Sequence, residues 1–467
     1  MKQRYIDAYE IDKKYIFVGA NIFTYANSNF LLNSRLGISI ILDNYYAKFL
    51  TEQCLSDDNL MFKLYQRGFV KDKNRDLCGK GLVIRPNFFL INLTNNCNLR
   101  CKYCFRHLEK LKRDEIDNSM LKSICKYILQ YCHAQNIKEF SIQFWGGEPL
   151  LMFDKIIYVY EFFEKHGLNP QFIMETNGTL IDEKVATELV KRKIRIGISI
   201  DGPEYLHNLQ RPFVNGGESF DQVIQGVNCL KKVFYDEFGL ITVITKKNIH
   251  EASDILNYFA KQLNLHQAKF NLVKQNVFSP ESMELSNFSD LEIDNFFDNI
   301  IKKIVQLNQE GYQIYERNIC DKTMNLLSKR ARNICSSRGC RGGYKIVSFN
   351  GKGDIYPCDM LDHEEVRIGN IKDEISLLHM IENAVEKNRF FKKKEIEECK
   401  MCPWNGYCEG GCTASMIYNE KSFIDEMECR VNRILYPKLI HLLLSKPETV
   451  QYLTNNQIII LRRKENE

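Results

Sequence analysis

The tightest constraint on this chain is a run of three cysteines, Cys97-Asn-Leu-Arg-Cys101-Lys-Tyr-Cys104, placed directly after an apolar segment that reads as a strand. Three thiolates at this spacing can ligate three irons of a cubane that ordinarily takes four protein ligands, so the fourth iron keeps an open position. Open metal positions go with chemistry, closed ones with structure. On the residues alone, a zinc site with a distant fourth ligand or a chance grouping stays open beside the cubane. A second group follows near the carboxyl end: Cys335-x4-Cys340-x12-Gly353-x4-Cys358, then Cys399-x2-Cys402-x5-Cys408-x3-Cys412-x16-Cys429. Eight thiolates suffice for two fully ligated four-iron clusters, and equally for zinc ribbons built on Cys-x2-Cys pairs. Cys54, Cys78, Cys125, Cys132, Cys229 and Cys320 lie among apolar or helical surroundings and read as packing residues.

Seventeen cysteines are unusual for a chain whose start, Met1-Lys-Gln-Arg-Tyr-Ile-Asp, lacks the apolar core of a signal peptide. No apolar run reaches the roughly 18 residues of a membrane span, so the expectation is a cytoplasmic protein whose thiols bind metal rather than pair. The 64 basic and 59 acidic residues nearly cancel, giving +5, so the balance calls for neither nucleic acid nor an anionic membrane as partner. At 467 residues and 44% hydrophobic, two or three domains are expected.

Residues 1–85 read as a small α+β module, with strands at Tyr15-Ile-Phe-Val, Asn29-Phe-Leu-Leu and Ile38-Ser-Ile-Ile-Leu before helical patterns near residues 45–50 and 58–64, Ser56 being the expected cap. From Asn87 short apolar strands alternate with amphipathic helices. The strand candidates are Phe88–Leu93, Glu139–Phe144, Gln171–Thr176, Ile194–Ile200, Leu240–Ile244 and Lys269–Val273. Such βα repetition predicts a parallel sheet over 86–290 with its site at the carboxyl ends of the strands. A charged helical connector over 291–334, a Cys-rich domain over 335–435 and a tail over 436–467 complete the expected order.

Four motifs follow successive strands: the cysteine loop, Gly146-Gly147-Glu148-Pro149, Thr176-Asn177-Gly178-Thr179-Leu180, and Ser199-Ile-Asp-Gly-Pro203 with Arg211 twelve residues beyond Ser199. Together they resemble the radical S-adenosylmethionine enzymes, whose fold is a partial (β/α)6 barrel. The last seven cysteines resemble the SPASM pattern in every interval, and the likeness covers residues 88–432. The resemblance implies three 4Fe–4S clusters and S-adenosylmethionine. In it Cys97, Cys101 and Cys104 hold the open cluster, with Tyr103 beside them, and Gly146, Gly147 and Glu148 contact the methionine amino group. Ser199 and Arg211 hold the carboxylate. Cys335, Cys340, Cys358 and Cys412 would hold a first auxiliary cluster, and Cys399, Cys402, Cys408 and Cys429 a second.

The same resemblance implies a radical drawn from the cofactor, a peptide or protein substrate with or without a leader sequence, and an electron donor such as ferredoxin or flavodoxin. Asp359 resembles the general base of anaerobic sulfatase-maturing enzymes, although an Asp after a turn cysteine is as often a backbone cap. Trp145, where those enzymes carry Gln, resembles instead the maturases of ribosomally made peptides. The N-terminal order ending in Leu64-Tyr-Gln-Arg-Gly-Phe-Val resembles the winged-helix module that grips leader peptides; a merely stabilising cap fits it too. The expected function is therefore a peptide maturase installing a thioether or other crosslink. Formylglycine formation on a sulfatase and a zinc-binding interaction protein with a degenerate barrel are the alternatives.

Overall fold

The computed structural model describes residues 1–12, 14–73, 83–106, 115–233, 238–274, 284–328, 335, 339–392, 396–418 and 424–458. Cys78 lies outside them. Strands β1 (Lys2–Ile6), β4 (Ala20–Tyr25), β5 (Ser28–Asn33) and β6 (Ile38–Asp43) form an antiparallel sheet in the order β1-β4-β5-β6, and β2 (Tyr9–Glu10), β3 (Tyr15–Phe17) and β7 (Val70–Asp72) a second one in the order β2-β3-β7. Alternation along β4 and β5 serves two cores at once, since successive side chains point to opposite faces. Ile22 and Leu31 join Phe17, Leu50, Leu60 and Phe69 in a core of the module's own. Phe23, Phe30 and Leu32 turn outward into the main core of the molecule. The helices Asn44–Thr51 and Asp58–Arg67 complete the module, and the cap of the second is Asp57, whose carboxylate accepts Leu60 N–H at 2.7 Å. The expected cap, Ser56, stands one residue too early to reach that N–H.

Six strands stand where the βα rhythm puts them: β8 (Phe88–Thr94), β9 (Ser141–Gly146), β10 (Gln171–Thr176), β11 (Arg195–Ser199), β12 (Phe238–Ile244) and β13 (Gln267–Leu272). They pair in parallel in sequence order, with Phe89 opposite Ile142 and Met174 opposite Ile196. The intervening helices cover one face. The helix Asn118–Ala134, for example, starts at Asp117, which accepts Met120 N–H at 2.8 Å, and buries Leu121, Ile124, Cys125, Ile128, Tyr131 and Cys132 at helical spacing. Each fully buried Leu or Ile contributes about 1.5–3 kcal/mol.

The sheet does not stop at the expected boundaries. Within the segment expected to be a helical connector, β14 (Tyr315–Glu316) pairs in parallel with β13. On the other edge β15 (Ile346–Phe349) pairs in parallel with β8, placing Val347 opposite Phe89, and β16 (Asp354–Tyr356) and β17 (Gly369–Asn370) continue antiparallel. Among the described residues this makes one ten-stranded sheet. The expected tail is also corrected: the helix Glu426–Ser445 runs through residue 436 and buries Tyr436, Leu439, Ile440 and Leu443 in the main core. Among the described residues no helix is long and apolar enough to cross a membrane.

The module is seated on the Cys-rich domain. Phe23 stacks on Trp404 at 5.3 Å, Arg35 donates to Lys400 O at 2.8 Å and Gly406 N donates to Ser34 Oγ at 3.2 Å. A Cβ at Gly406 would overlap the Ser34 carbonyl. Beside this contact lies a cavity of about 1440 Å³, bordered by Ile16, Val18 and Leu36 of the module and by Cys399, Cys402 and Ile417 opposite.

Candidate active site

The loop after β8 carries the first cysteine group, and two close backbone approaches shape it. Gly147 N donates to Thr94 O at 2.8 Å and Glu148 N to Asn96 O at 2.9 Å. A Cβ on Gly146, whose φ is +151°, or on Gly147 would overlap the carbonyls of Thr94 and Asn96 respectively. The glycines thus let the cysteine loop, rather than only a ligand, come close to the end of β9.

Cys97, Cys101 and Cys104 lie within electrostatic reach of one another, and no disulfide joins any described cysteine. Burial pushes the Cys97 thiol up to about 11 and the Cys101 thiol up to about 12, with the Arg211 guanidinium pulling the latter back. Grouped thiols with such a proton affinity become thiolates when metal replaces the proton, which fits the iron-sulfur cluster expected here. Leu99 N–H at 3.4 Å and the Asn177 amide at 3.9 Å face the Cys97 sulfur. Asn177 also donates to Asn98 Oδ1 at 2.8 Å, and Asn98 to Thr179 Oγ1 at 2.8 Å, locking the loop to the end of β10.

Glu148 is buried and braced by three hydrogen bonds. Its carboxylate accepts Thr176 Oγ1–H at 2.6 Å, Asn177 N–H at 2.8 Å and Leu150 N–H at 3.0 Å, while burial holds its proton affinity above the usual carboxylate range. Arg211 reaches the cluster loop from the far side, its Nη1 3.7 Å from Cys101 Sγ and its guanidinium over the Tyr103 ring. Ser199 ends β11, partly buried, with Asp201 two residues on.

Asp201, which sequence reasoning passed over, is the anchor of this region. Fully buried, it accepts Tyr103 O–H at 2.6 Å, Gln210 Nε2–H at 3.4 Å and Val243 N–H at 3.0 Å, and stands 3.1 Å from Arg211 Nε. Behind it, burial lowers His207 to about 3, so the ring is neutral, accepting from Asp201 N at Nδ1 and donating to Ser219 at Nε2. The only sequence signal for Asp201 was its place inside Ser199–Pro203.

Asp359 follows Cys358 and faces Glu175 of β10, Lys269 of β13 and Arg106. It keeps some exposure, yet burial pushes its carboxyl up to about 6, Arg106 and Lys269 opposing. Trp145 stacks on Phe105 at 5.8 Å. Three buried polar atoms in this neighbourhood, Asn92 Oδ1, Trp145 Nε1 and Arg106 Nε, have no protein partner. Buried polar groups are normally satisfied, so these suit a polar cofactor or substrate.

The second cysteine group divides in two. Cys335 is within electrostatic reach of Cys340 and Cys412, and Cys358 of the same two; Cys340, Cys358 and Cys412 pack on one small core around Tyr356 and Phe390. Cys399 is within reach of Cys402 and Cys429, and Cys408 of Cys429. Among the described residues no three His, Cys, Asp or Glu side chains close around a point as a single ion requires. Of the cysteines expected to be packing residues, Cys125, Cys132, Cys229 and Cys320 are buried, whereas Cys54 is exposed.

Residues 91–259 match the family model of the radical SAM superfamily, and residues 340–403 that of the SPASM iron-sulfur cluster-binding domain. An uncharacterised protein of Methanocaldococcus jannaschii is 30% identical over 61% of this chain and 88% of its own length. The cysteine-type anaerobic sulfatase-maturating enzyme of Clostridium perfringens is 27% identical over 74% of this chain and 91% of its own. Among solved structures, native anSMEcpe with AdoMet and a peptide bound superposes with TM-score 0.65 at 25% identity, over 77% of this chain and 99% of its own. SuiB of Streptococcus suis, bound to its precursor peptide SuiA, shares the fold: TM-score 0.54, 17% identity, 87% of this chain and 99% of its own. The chain belongs to the radical S-adenosylmethionine superfamily, in its SPASM-bearing branch. Its cofactors are 4Fe–4S clusters and S-adenosylmethionine.

Proposed function

We propose that this enzyme is a peptide maturase that installs a thioether or other crosslink in a ribosomally made peptide. The observation that carries this reading is the N-terminal module seated against the Cys-rich domain beside an open cavity, an arrangement suited to holding a second stretch of a long substrate. Support also comes from coverage. About 77% of this chain suffices to span 99% of the sulfatase-maturing structure, so a quarter has no counterpart there.

When bound, S-adenosylmethionine supplies a 5′-deoxyadenosyl radical for hydrogen abstraction. Cys97, Cys101 and Cys104 would hold the cluster that supplies the electron. Glu148 fixes the end of β10 through three hydrogen bonds, Tyr103 and Arg211 are oriented by Asp201, and Arg211 and Ser199 would meet the cofactor carboxylate. The stacked Trp145 and Phe105 rings would line the site, with Trp145 Nε1 left for a polar group of cofactor or substrate. Asp359, raised by burial, takes the proton released as the product forms. The eight remaining thiolates would hold two auxiliary clusters, groups able to take up a single electron.

The test is anaerobic incubation of the reconstituted enzyme, S-adenosylmethionine and reductant with candidate precursor peptides. A mass loss of two hydrogens per crosslink with equimolar 5′-deoxyadenosine is expected, and Asp359→Ala should cleave cofactor yet form little product. An aldehyde on a sulfatase peptide, with no change in precursor peptides, would establish formylglycine formation instead. The sulfatase-maturating relatives favour that second reading.

A further inference from the structure

A chain of alternating charges runs along the first turn of the helix Glu426–Ser445, between the two sets of auxiliary thiols. Asp425 caps the helix by accepting Glu428 N–H at 3.1 Å; its second oxygen accepts Cys412 N–H at 3.2 Å and pairs with the Lys274 ammonium. One turn on, Glu428 accepts from Lys322 Nζ at 2.7 Å, and Asn432 Oδ1 accepts from the same ammonium at 2.6 Å. The Asn432 amide donates back to Glu428 Oε1 at 3.2 Å, and the Cys408 thiol lies within electrostatic reach of both Glu428 and Lys322. Lys322 rises from the helix Arg317–Leu327 and stands over the Tyr436 ring.

The lysines differ in surroundings. The Lys322 side chain is 5% exposed and that of Lys274 35%. Burying an ion pair this deeply generally costs more than filling the space with apolar side chains, so its retention calls for a role other than stability. The place of each lysine supplies one. Lys274 joins the Cys412 backbone through a single carboxylate, and Lys322 holds Glu428, the residue before Cys429, within electrostatic reach of Cys408. A cluster gains one negative charge on reduction, and a fixed cation beside it favours the reduced form, more strongly where the dielectric is low.

We propose that Lys322 and Lys274 are the counter-charges of the two auxiliary clusters, each setting chiefly the reduction potential of its own. Lys322 acts on the cluster of Cys399, Cys402, Cys408 and Cys429, and Lys274 on that of Cys335, Cys340, Cys358 and Cys412. The proposal rests on that assignment of cysteines. Glu428 and Asp425 are the opposing anions, so removing an anion moves the potential up and removing a cation moves it down.

Potentiometric titration of the anaerobically reconstituted holoenzyme, followed by electron paramagnetic resonance, tests this without recourse to turnover. Lys322→Met should shift the reduced-to-oxidised ratio of one auxiliary cluster about tenfold toward oxidised at fixed potential, about 59 mV for one electron. Lys274→Met should move the other auxiliary cluster in the same direction by less, Glu428→Gln and Asp425→Asn should raise their clusters, and Lys322→Arg should restore the wild-type midpoint. Should Lys322→Met fail to hold its cluster, Glu428→Gln, which keeps the lysine, decides. Midpoints unmoved in Glu428→Gln and in every cluster-bearing lysine variant overturn the proposal. A wild-type enzyme lacking two additional cluster signals overturns the cysteine assignment beneath it.

Discussion

At the scale of single residues, the site is held by groups whose partners come from distant parts of the chain. Asp201 gathers hydrogen bonds from Tyr103, Gln210 and Val243 and pairs with the Arg211 guanidinium, and an acceptor-only anion is the one side chain that suits all four. Asp201→Asn would turn an amide toward donors and leave the buried Arg211 unpaired. The expected cost is about 3–5 kcal/mol, with loss of cofactor affinity. Thermal unfolding and S-adenosylmethionine titration check it; unchanged values in both would show that Asp201 is not the anchor. The cysteines and glycines were legible in sequence because ligand spacing and short motifs are local. Asp201 was not, since nothing near it announces a partner 98 residues away. Gly147 was legible as a close-approach residue, but what approaches it is the cysteine loop, which only the folded backbone reveals.

At the scale of elements, the six central strands were readable from their apolar runs, whereas the edge strands were not. Tyr315–Glu316 and Gly369–Asn370 are two residues each and carry no periodicity. β1, Lys2-Gln-Arg-Tyr-Ile, is mostly exposed and gave no apolar signal. At the β14 edge sits a buried carboxylate with a calculable consequence. Glu316 accepts Phe270, Asn318 and Ile319 N–H, yet burial pushes it up to about 7 from an ordinary 4.5. Its folded proton affinity exceeds the unfolded one, so the unfolded chain loses the proton first as pH rises. Stability therefore falls between pH 4.5 and 7 and is flat above, by roughly 1.4 kcal/mol per unit across that window. The advantage of wild type over Glu316→Gln should shrink as pH goes from 5 to 8, read from melting temperatures. Parallel curves for the two proteins would contradict this.

At the scale of the whole molecule, the sequence announced its parts in order but not how they join. An N-terminal unit with strands before helices was visible; that its sheet is buried on both faces was not, because the residues it packs against lie some 370 positions on. Close packing at Gly406 makes the joint testable. Gly406→Ala forces a Cβ against the Ser34 carbonyl, and two backbones cannot yield as a side-chain tip would. Scanning calorimetry should then resolve two transitions in place of one, with iron content unchanged. A single transition at the wild-type temperature would mean that the joint tolerates separation.

The parallel ladder between β8 and β15 ties the strand leading into Cys97 to the strand leading toward Cys358 by main-chain hydrogen bonds rather than by a linker. The two halves therefore have no hinge between them. The seam holds the loop of Cys97 and the turn of Cys358 at one fixed spacing, as a shared beam does for two fittings.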